Sequence, residues 1–314
     1  MSHETLRKIR IVVPVYNSAS VLPHLYAQFE QFIESRSNEQ YEIIFVDDSS
    51  PDGAWDAISD LCAKNPTLVR GIRMSRNYGQ QPATLAGMAK AKGDLVITMD
   101  DDLQHRPEDI SALIKAYDSH DNNHIVIAQF NEKKTTGIRK VLSNLNRQIT
   151  TLVLNKPKNL HLSSFRLFDK FASDQIVNIK TAYPYMPALM LSVTREIVNV
   201  PLEHQDRHSG KSNYGILDIL RLSSRLLINN STVLLDIIAT FGVFISLLSF
   251  LAIIAIVGLK LTGVYYTPGW ASVIGSIYLI GGLILFLLGI VGKYLQRILV
   301  EITNTSNYII EEEI

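Results

Sequence analysis

The chain has a single cysteine, Cys62, so no disulfide framework holds it together and a reducing, cytosolic setting is expected for its soluble part. The first ten residues, Met1 to Arg10, are polar and lack the apolar run of a secretory signal. Lys and Arg together number 30 and are balanced by 30 Asp and Glu. With no cluster of cations to follow a phosphate backbone, the balance gives no support to nucleic-acid binding. The turn after the first strand-like segment lacks a glycine-rich dinucleotide fingerprint, which counts against NAD or FAD.

What is present begins with apolar length. No residue from Ile237 to Leu259 is charged, and none from Leu261 to Gly292, with Lys260 alone between them. Each run exceeds the roughly 20 residues that cross a bilayer core as a helix. Two membrane helices are therefore expected, at about 234–259 and 270–292, against the alternative of buried core helices. Arg221 and Arg225 precede the first, Lys293 and Arg297 follow the second, and the loop between has no charge. The positive-inside rule then places both chain ends in the cytoplasm, as in a multi-pass protein of the inner membrane. Residues 215–232 separate Asp218, Arg221 and Arg225 from Leu217, Leu220, Leu227 and Ile228. This segment reads as an amphipathic helix in the membrane interface, or else as a solvated helix on the preceding domain.

Residues 1–214 alternate strand and helix. Ile9–Val15, Tyr41–Val46, Leu68–Met74, Leu95–Met99 and Ile125–Ala128 are continuous apolar runs. Between them, Leu22, Leu25, Tyr26, Phe29, Phe32 and Ile33 recur at helical spacing, and helices are expected through Trp55–Leu61 and Gln81–Ala91. Apolar strands alternating with helices predict an α/β domain with a mostly parallel, doubly wound sheet. Ligands bind such sheets outside the carboxyl ends of the strands. Here those ends carry Pro14-Val15-Tyr16-Asn17, Asp47-Asp48, Ser75 to Gly79 with Asn77 among them, and Asp100 to Gln104. Residues 137–154 read as an amphipathic, solvated helix, and 296–314 as a cytosolic tail.

The most informative stretch is Leu95 to Gln104, an apolar strand that ends in Asp100-Asp101-Asp102. Three adjacent carboxylates repel one another unless a cation sits among them, and an all-oxygen set suits Mg²⁺ or Mn²⁺, which commonly hold a diphosphate. The bland alternative is a solvated acidic turn. Further on, Asp206 to Tyr214 forms a polar loop holding Arg207, Lys211 and Ser212, with cations suited to neutralising phosphate.

The motifs VVPVYN, VDDSSPDG, RNYGQQPATLAGMAKAKGD, MDDDLQHRPEDI, SFRLF and DRHSGKSNY, in that order and ahead of two apolar segments, resemble the polyprenyl-phosphate glycosyltransferases of inverting glycosyltransferase family 2. That group includes dolichol-phosphate mannose synthase. RNYGQ and the paired C-terminal segments look most like the bacterial enzymes that load undecaprenyl phosphate with glucose or a modified aminoarabinose. The resemblance implies a GT-A fold, a UDP-sugar donor, Mg²⁺ or Mn²⁺, a polyprenyl phosphate acceptor at the membrane, and a homo-oligomer, often a tetramer. On that pattern Pro14, Tyr16, Asn17, Asp47, Asp48 and Asn77 contact the nucleotide, and Asp100, Asp102 and Gln104 hold the metal. Asp100, Asp102, Arg166 and Arg207 are the implied catalytic residues, with Arg207, Lys211 and Ser212 on the diphosphate or the lipid phosphate. Asp101 falls at the family's variable middle position.

Two departures stand out. Relatives often carry aspartate before the FRL segment and glutamate after the YN pair; this chain has Ser163-Ser164 and Ser18 there. His161 is then a candidate base or orienting group, although a histidine beside leucines is more often structural. Other readings are a non-catalytic module that binds nucleotide sugars and a processive polysaccharide synthase. The latter carries Q-x-x-R-W, which neither Trp55 nor Trp270 completes.

Overall fold

The computed structural model describes residues 6–36, 38–119, 123–130, 148, 150, 151, 153–202, scattered positions between 238 and 254, 269–303 and 307–314. The expected interfacial helix, most of the expected first membrane helix, and Arg207, Lys211 and Ser212 lie outside the described residues, as does most of 137–154.

The chain divides into two compact units: Met1–Val141, Lys156–Tyr214 and Asn304–Ile314 in one, Leu142–Asn155 and Gly215–Thr303 in the other. The first unit thus differs from an uninterrupted 1–214, since it loses 142–155 and gains the C-terminus. It holds one eight-stranded sheet. Its strands are β1 (Arg7–Val15), β2 (Glu39–Asp47), β3 (Val69–Met74), β4 (Leu95–Thr98), β5 (Ile125–Phe130), β6 (Arg166–Asp169), β7 (Ile197–Leu202) and β8 (Ile310–Glu313), in spatial order β7-β5-β6-β4-β1-β2-β3-β8. β1 pairs in parallel with both β2 and β4, β2 with β3, and β5 with β7. β6 runs antiparallel between β4 and β5, and β8 antiparallel along β3.

Alternate strand residues serve opposite faces. Ile9, Ile11, Val13, Ile43, Phe45 and Ile97 pack with α1 (Leu22–Glu34), α2 (Ala54–Lys64) and α4 (Ile110–Asp118) in one buried cluster. On the other face lies α3 (Gln80–Lys90), whose Gly87 comes so close that an added Cβ would stand 2.3 Å from Val12 and 2.9 Å from Val46. A helix that approaches the sheet this tightly needs its small residues at the crossing. α5 (Lys170–Asn178), capped by Asp169 through a 2.7 Å bond from the Ala172 N–H, and α6 (Met186–Val193) follow β6.

Pro14 sits in an interior strand, a position normally closed to proline. Pairing of β1 with β4 ends at Val12↔Thr98, whereas pairing with β2 continues to Val15↔Asp47. Proline's missing N–H therefore falls where the sheet has already opened on the β4 side.

In the second unit, the described helix is α7 (Trp270–Thr303), 34 residues long. Its segment Ile280–Thr303 is the one described helix long and apolar enough to cross a membrane, with mean hydropathy 1.9. The charge-free run predicts an end near 292. The helix continues because Lys293 and Arg297, whose charges mark the end of the apolar run, are themselves good helix formers. The expected tail is likewise corrected, for 310–313 is the edge strand β8.

Candidate active site

β1 is flanked by β2 and by β4, so the strand order reverses beside it, and the carboxyl ends diverge there into a crevice. A pocket of about 420 Å³ opens at that place, lined by Pro14, Val15, Tyr16, Asp48, Asn77, Gly79, Gln80, Ala83, Asp100, Asp101 and Asp102. The four loops expected to converge do so. Three of them contain a non-glycine residue with left-handed backbone, Asn17 (φ 58°), Ser49 (φ 57°) and Leu103 (φ 60°). For the partly buried Leu103 this conformation is strained, and such strain collects where loops are held to a task.

Asp47 and Asp48 are neighbours with opposite fates. Asp48 lines the pocket, and its two oxygens accept the backbone N–H groups of Tyr78 and Gly79, each at 2.7 Å. It ties the end of β2 to the loop after β3. Asp47 is completely buried and lies outside the pocket lining. Its Oδ1 accepts the Ser50 N–H at 3.0 Å, and its Oδ2, with no hydrogen-bond partner, lies 4.0 Å from Arg73 Nε. Burial pushes both carboxyls above their usual range. Strand alternation turns one of two consecutive side chains away from the ligand, so a nucleotide contact from Asp47 is not what the geometry provides. Asn17 is also outside the lining; its N–H is held by the Ser50 hydroxyl at 3.1 Å.

The acidic loop is built as a set. Asp100 accepts from the Gln80 amide at 2.6 Å and from the Ser164 hydroxyl. Its backbone N–H is held by Nδ1 of His105, which is buried between the rings of Phe130 and Phe165. Asp102 accepts the Gln104 side-chain amide at 2.7 Å and the Gln104 N–H at 3.2 Å. Gln104 thus steadies Asp102 and does not itself line the pocket. Asp101 leans toward the β1 loop, near Ser18 and the Tyr16 backbone; burial, with Asp100 and Asp102 close by, pushes its carboxyl up to about 6.

Asp101 Oδ2 is buried without a hydrogen-bond partner, and three carboxylates share one pocket wall. That donor set fits a hard divalent cation. Among the described residues no three acidic, histidine or cysteine side chains are grouped closely enough to hold a metal ion by themselves.

Arg166 stands opposite Thr98 in the β4–β6 register and is buried. Burial lowers its pKa to about 10, Asp100 and Tyr185 pull it back up, and it remains a cation at neutral pH. Arg166 is not among the residues that line the pocket. His161 has its backbone N–H and C=O held by Asn199 at 2.8 and 2.9 Å and is not part of the pocket. Sequence reasoning missed Gln80 and Ser164 as partners of Asp100. The signal for Gln80 lay within RNYGQ, and Ser164 precedes the FRL segment that carries Arg166.

The sequence profile of glycosyl transferase family 2 matches residues 10–177, the strands and loops that make this pocket. The chain belongs to glycosyltransferase family 2. It is a glycosyltransferase. Over 98% of its length it is 28% identical to the undecaprenyl-phosphate 4-deoxy-4-formamido-L-arabinose transferase of Enterobacter sp. (strain 638), covering 94% of that protein. The same-named protein of Klebsiella pneumoniae subsp. pneumoniae is 28% identical over 99% of this chain and 95% of its own length. Among solved structures, glucosyl-3-phosphoglycerate synthase from Mycobacterium tuberculosis, in complex with Mn²⁺, UDP-glucose and phosphoglyceric acid, superposes with a TM-score of 0.53 at 16% identity. It covers 71% of this chain and 78% of that one, and the likeness establishes the GT-A-like α/β fold.

Proposed function

We propose that this glycosyltransferase moves a sugar from a UDP-sugar to a polyprenyl phosphate, undecaprenyl phosphate in a bacterial cell, at the cytoplasmic face of the membrane, inverting the anomeric centre. The observation that carries the reading is the meeting of Asp100, Asp101 and Asp102 with Tyr16, Asp48 and Asn77 around one pocket. A diphosphate held at the acidic wall has its nucleoside within reach of the loops after β1, β2 and β3. The full-length similarity to proteins named undecaprenyl-phosphate sugar transferases supports the acceptor.

Chemically, an oxygen of the lipid phosphate attacks the anomeric carbon from the face opposite the donor diphosphate. The carbon–oxygen bond to that diphosphate breaks, and UDP departs with the bonding electrons. The phosphate monoester has a second pKa near 6 and is mostly dianionic at neutral pH, so a strong base is not required. This agrees with His161 lying outside the pocket. Mg²⁺ or Mn²⁺, held by Asp100 and Asp102, would neutralise charge developing on the leaving diphosphate. Arg166 fixes Asp100 electrostatically, Gln80 and Ser164 fix it by hydrogen bonds, and Gln104 does the same for Asp102. Arg207, Lys211 and Ser212 are read from their motif as contacts to the diphosphate or the lipid phosphate.

Membrane attachment is supported by α7 and by topology. β8, which follows α7, shares one sheet with β1 to β4, and a bilayer cannot divide a hydrogen-bonded sheet. If α7 crosses, the chain crosses an even number of times, consistent with a second span at about 234–259 and both ends in the cytoplasm. The product would serve cell-envelope glycan modification, and the enzyme would work as a homo-oligomer.

The test is transfer of labelled sugar from a panel of UDP-sugars to undecaprenyl phosphate in detergent, with Mg²⁺ or Mn²⁺ and then with chelator. A lipid-soluble product that chelation suppresses is expected from one donor. Asp102→Asn should lower the rate by at least about 10²-fold to 10³-fold, the scale of losing one transition-state charge stabiliser. Tight UDP binding without product from any donor would instead favour a nucleotide-sugar-binding module.

A further inference from the structure

β8 is placed to do more than close a sheet edge. Gly71 and Ile314 exchange backbone hydrogen bonds of 2.8 and 3.0 Å, and the Ser75 N–H donates to the Ile309 carbonyl at 3.0 Å. A Cβ at residue 71 would come within 2.8 Å of Ile58 and 2.9 Å of Ile314, so the glycine is what lets Ile314 seat against α2. The side chains match as well. Glu313 pairs with Lys90 Nζ at 2.6 Å and lies 3.8 Å from Arg70, while Glu311 lies 3.9 Å from Arg73 Nε. That same Arg73 nitrogen is the one 4.0 Å from the buried Asp47.

These contacts end at the donor pocket. Ser75 begins the loop whose Asn77 and Gly79 line it, and the Ser75 hydroxyl lies 3.1 Å from the Tyr78 hydroxyl. Asp48 holds this loop from the β2 side at Tyr78 and Gly79; Ile309 holds it from the other side at Ser75. Without β8, β3 is an exposed edge and Ser75 loses its anchor. We propose that the C-terminal strand is a positioning element of the nucleotide pocket, with the Ile309 carbonyl and Glu311 holding the loop after β3 and Arg73 where they shape the nucleoside end. The chain segment downstream of α7 thereby sets affinity for the donor and not for the acceptor. This inference rests on the reading of the pocket as a UDP-sugar site.

The experiment uses the full chain in detergent beside a chain ending at Ser306, with UDP binding followed by calorimetry and the KM measured for donor and for undecaprenyl phosphate. Removing 307–314 should weaken UDP binding and raise the donor KM about ten-fold, leaving the acceptor KM unchanged. Adding the peptide Asn307–Ile314 in trans should restore binding. In case the shortened chain does not fold, Glu311→Lys in the intact chain places a cation against Arg73 and should shift the donor KM in the same direction without shifting the acceptor KM. Unaltered UDP binding in the variant that folds, or donor and acceptor constants moving together with kcat, overturns the proposal while the UDP-sugar reading stands. If the intact chain itself binds no UDP, that reading fails and the positioning role fails with it.

Discussion

The sheet unit and α7 are built from the same apolar residue types and treat them in opposite ways. In the sheet, Ile11, Ile43, Ile44 and Ile97 are wholly buried. Along α7, Leu285 is 71% exposed and Phe286 65%, with Ile277, Ile280, Ile284 and Leu288 each more than half exposed. Apolar surface left uncovered by the chain's own folding needs another apolar phase against it. One region covers its apolar side chains by packing on itself, and the other leaves them exposed along a helix long and apolar enough to cross a membrane. Composition alone does not separate them; the partner each apolar face finds does.

Substitutions sharpen the contrast. Ile97→Ala removes a fully buried side chain between the two layers of the domain and should cost about 2–5 kcal/mol. This would be read as a lowered denaturation midpoint of the sheet unit, with membrane retention unchanged as long as the chain stays folded. An arginine at Leu285 should do the reverse. If α7 crosses the membrane as proposed, an arginine there carries a penalty of about 2.5–3.5 kcal/mol for insertion at the bilayer centre. The protein should shift from the membrane fraction toward the soluble or aggregated fraction on carbonate extraction, with UDP affinity retained. A Leu285→Arg chain that stayed fully membrane-bound would remove the contrast between the two regions. The smallest effect belongs to Gly87→Ala, one added methyl group facing Val12 and Val46 across a tight crossing. Overpacking of this kind costs about 1–3 kcal/mol, and urea unfolding should show it as an earlier transition. The change Gly282→Ala in α7, where an added Cβ meets nothing within 4 Å, should leave that transition where it was.

The parallel strands and their pocket loops were legible because a buried strand with a ligand-facing loop at its carboxyl end needs a continuous apolar run that stops at a polar cluster, and both are local in sequence. β1, β2, β3, β4 and β5 fall where those runs lie, and the helices between them fall on the 3.6-residue spacing. β6 was visible only as the motif SFRLF, and its antiparallel place between β4 and β5 depends on pairing that no local pattern encodes. β7 and β8 escaped for a related reason. Ile197–Leu202 is half-buried and contains Pro201, and Ile310–Glu313 is mostly acidic. β8 pairs along the edge of β3, and its glutamates meet Arg70, Arg73 and Lys90 there. Within the site, the acidic wall could be read in advance, whereas the partners of its carboxylates could not. Gln80 and Ser164 meet at Asp100 across large sequence distances.

By itself, then, the amino-acid order determined that an α/β domain with an acidic strand end precedes long apolar segments, since hydrophobic periodicity and charge-free length are local properties. Only the tertiary structure decided that Asp48 faces the pocket while Asp47 is buried behind it, that Asp101 reaches toward Ser18, and that the last residues of the chain close the sheet beside the donor loop. Each of those outcomes depends on which strand lies next to which, and strand order is set by the packing of the whole domain, to which any one stretch of sequence contributes a part.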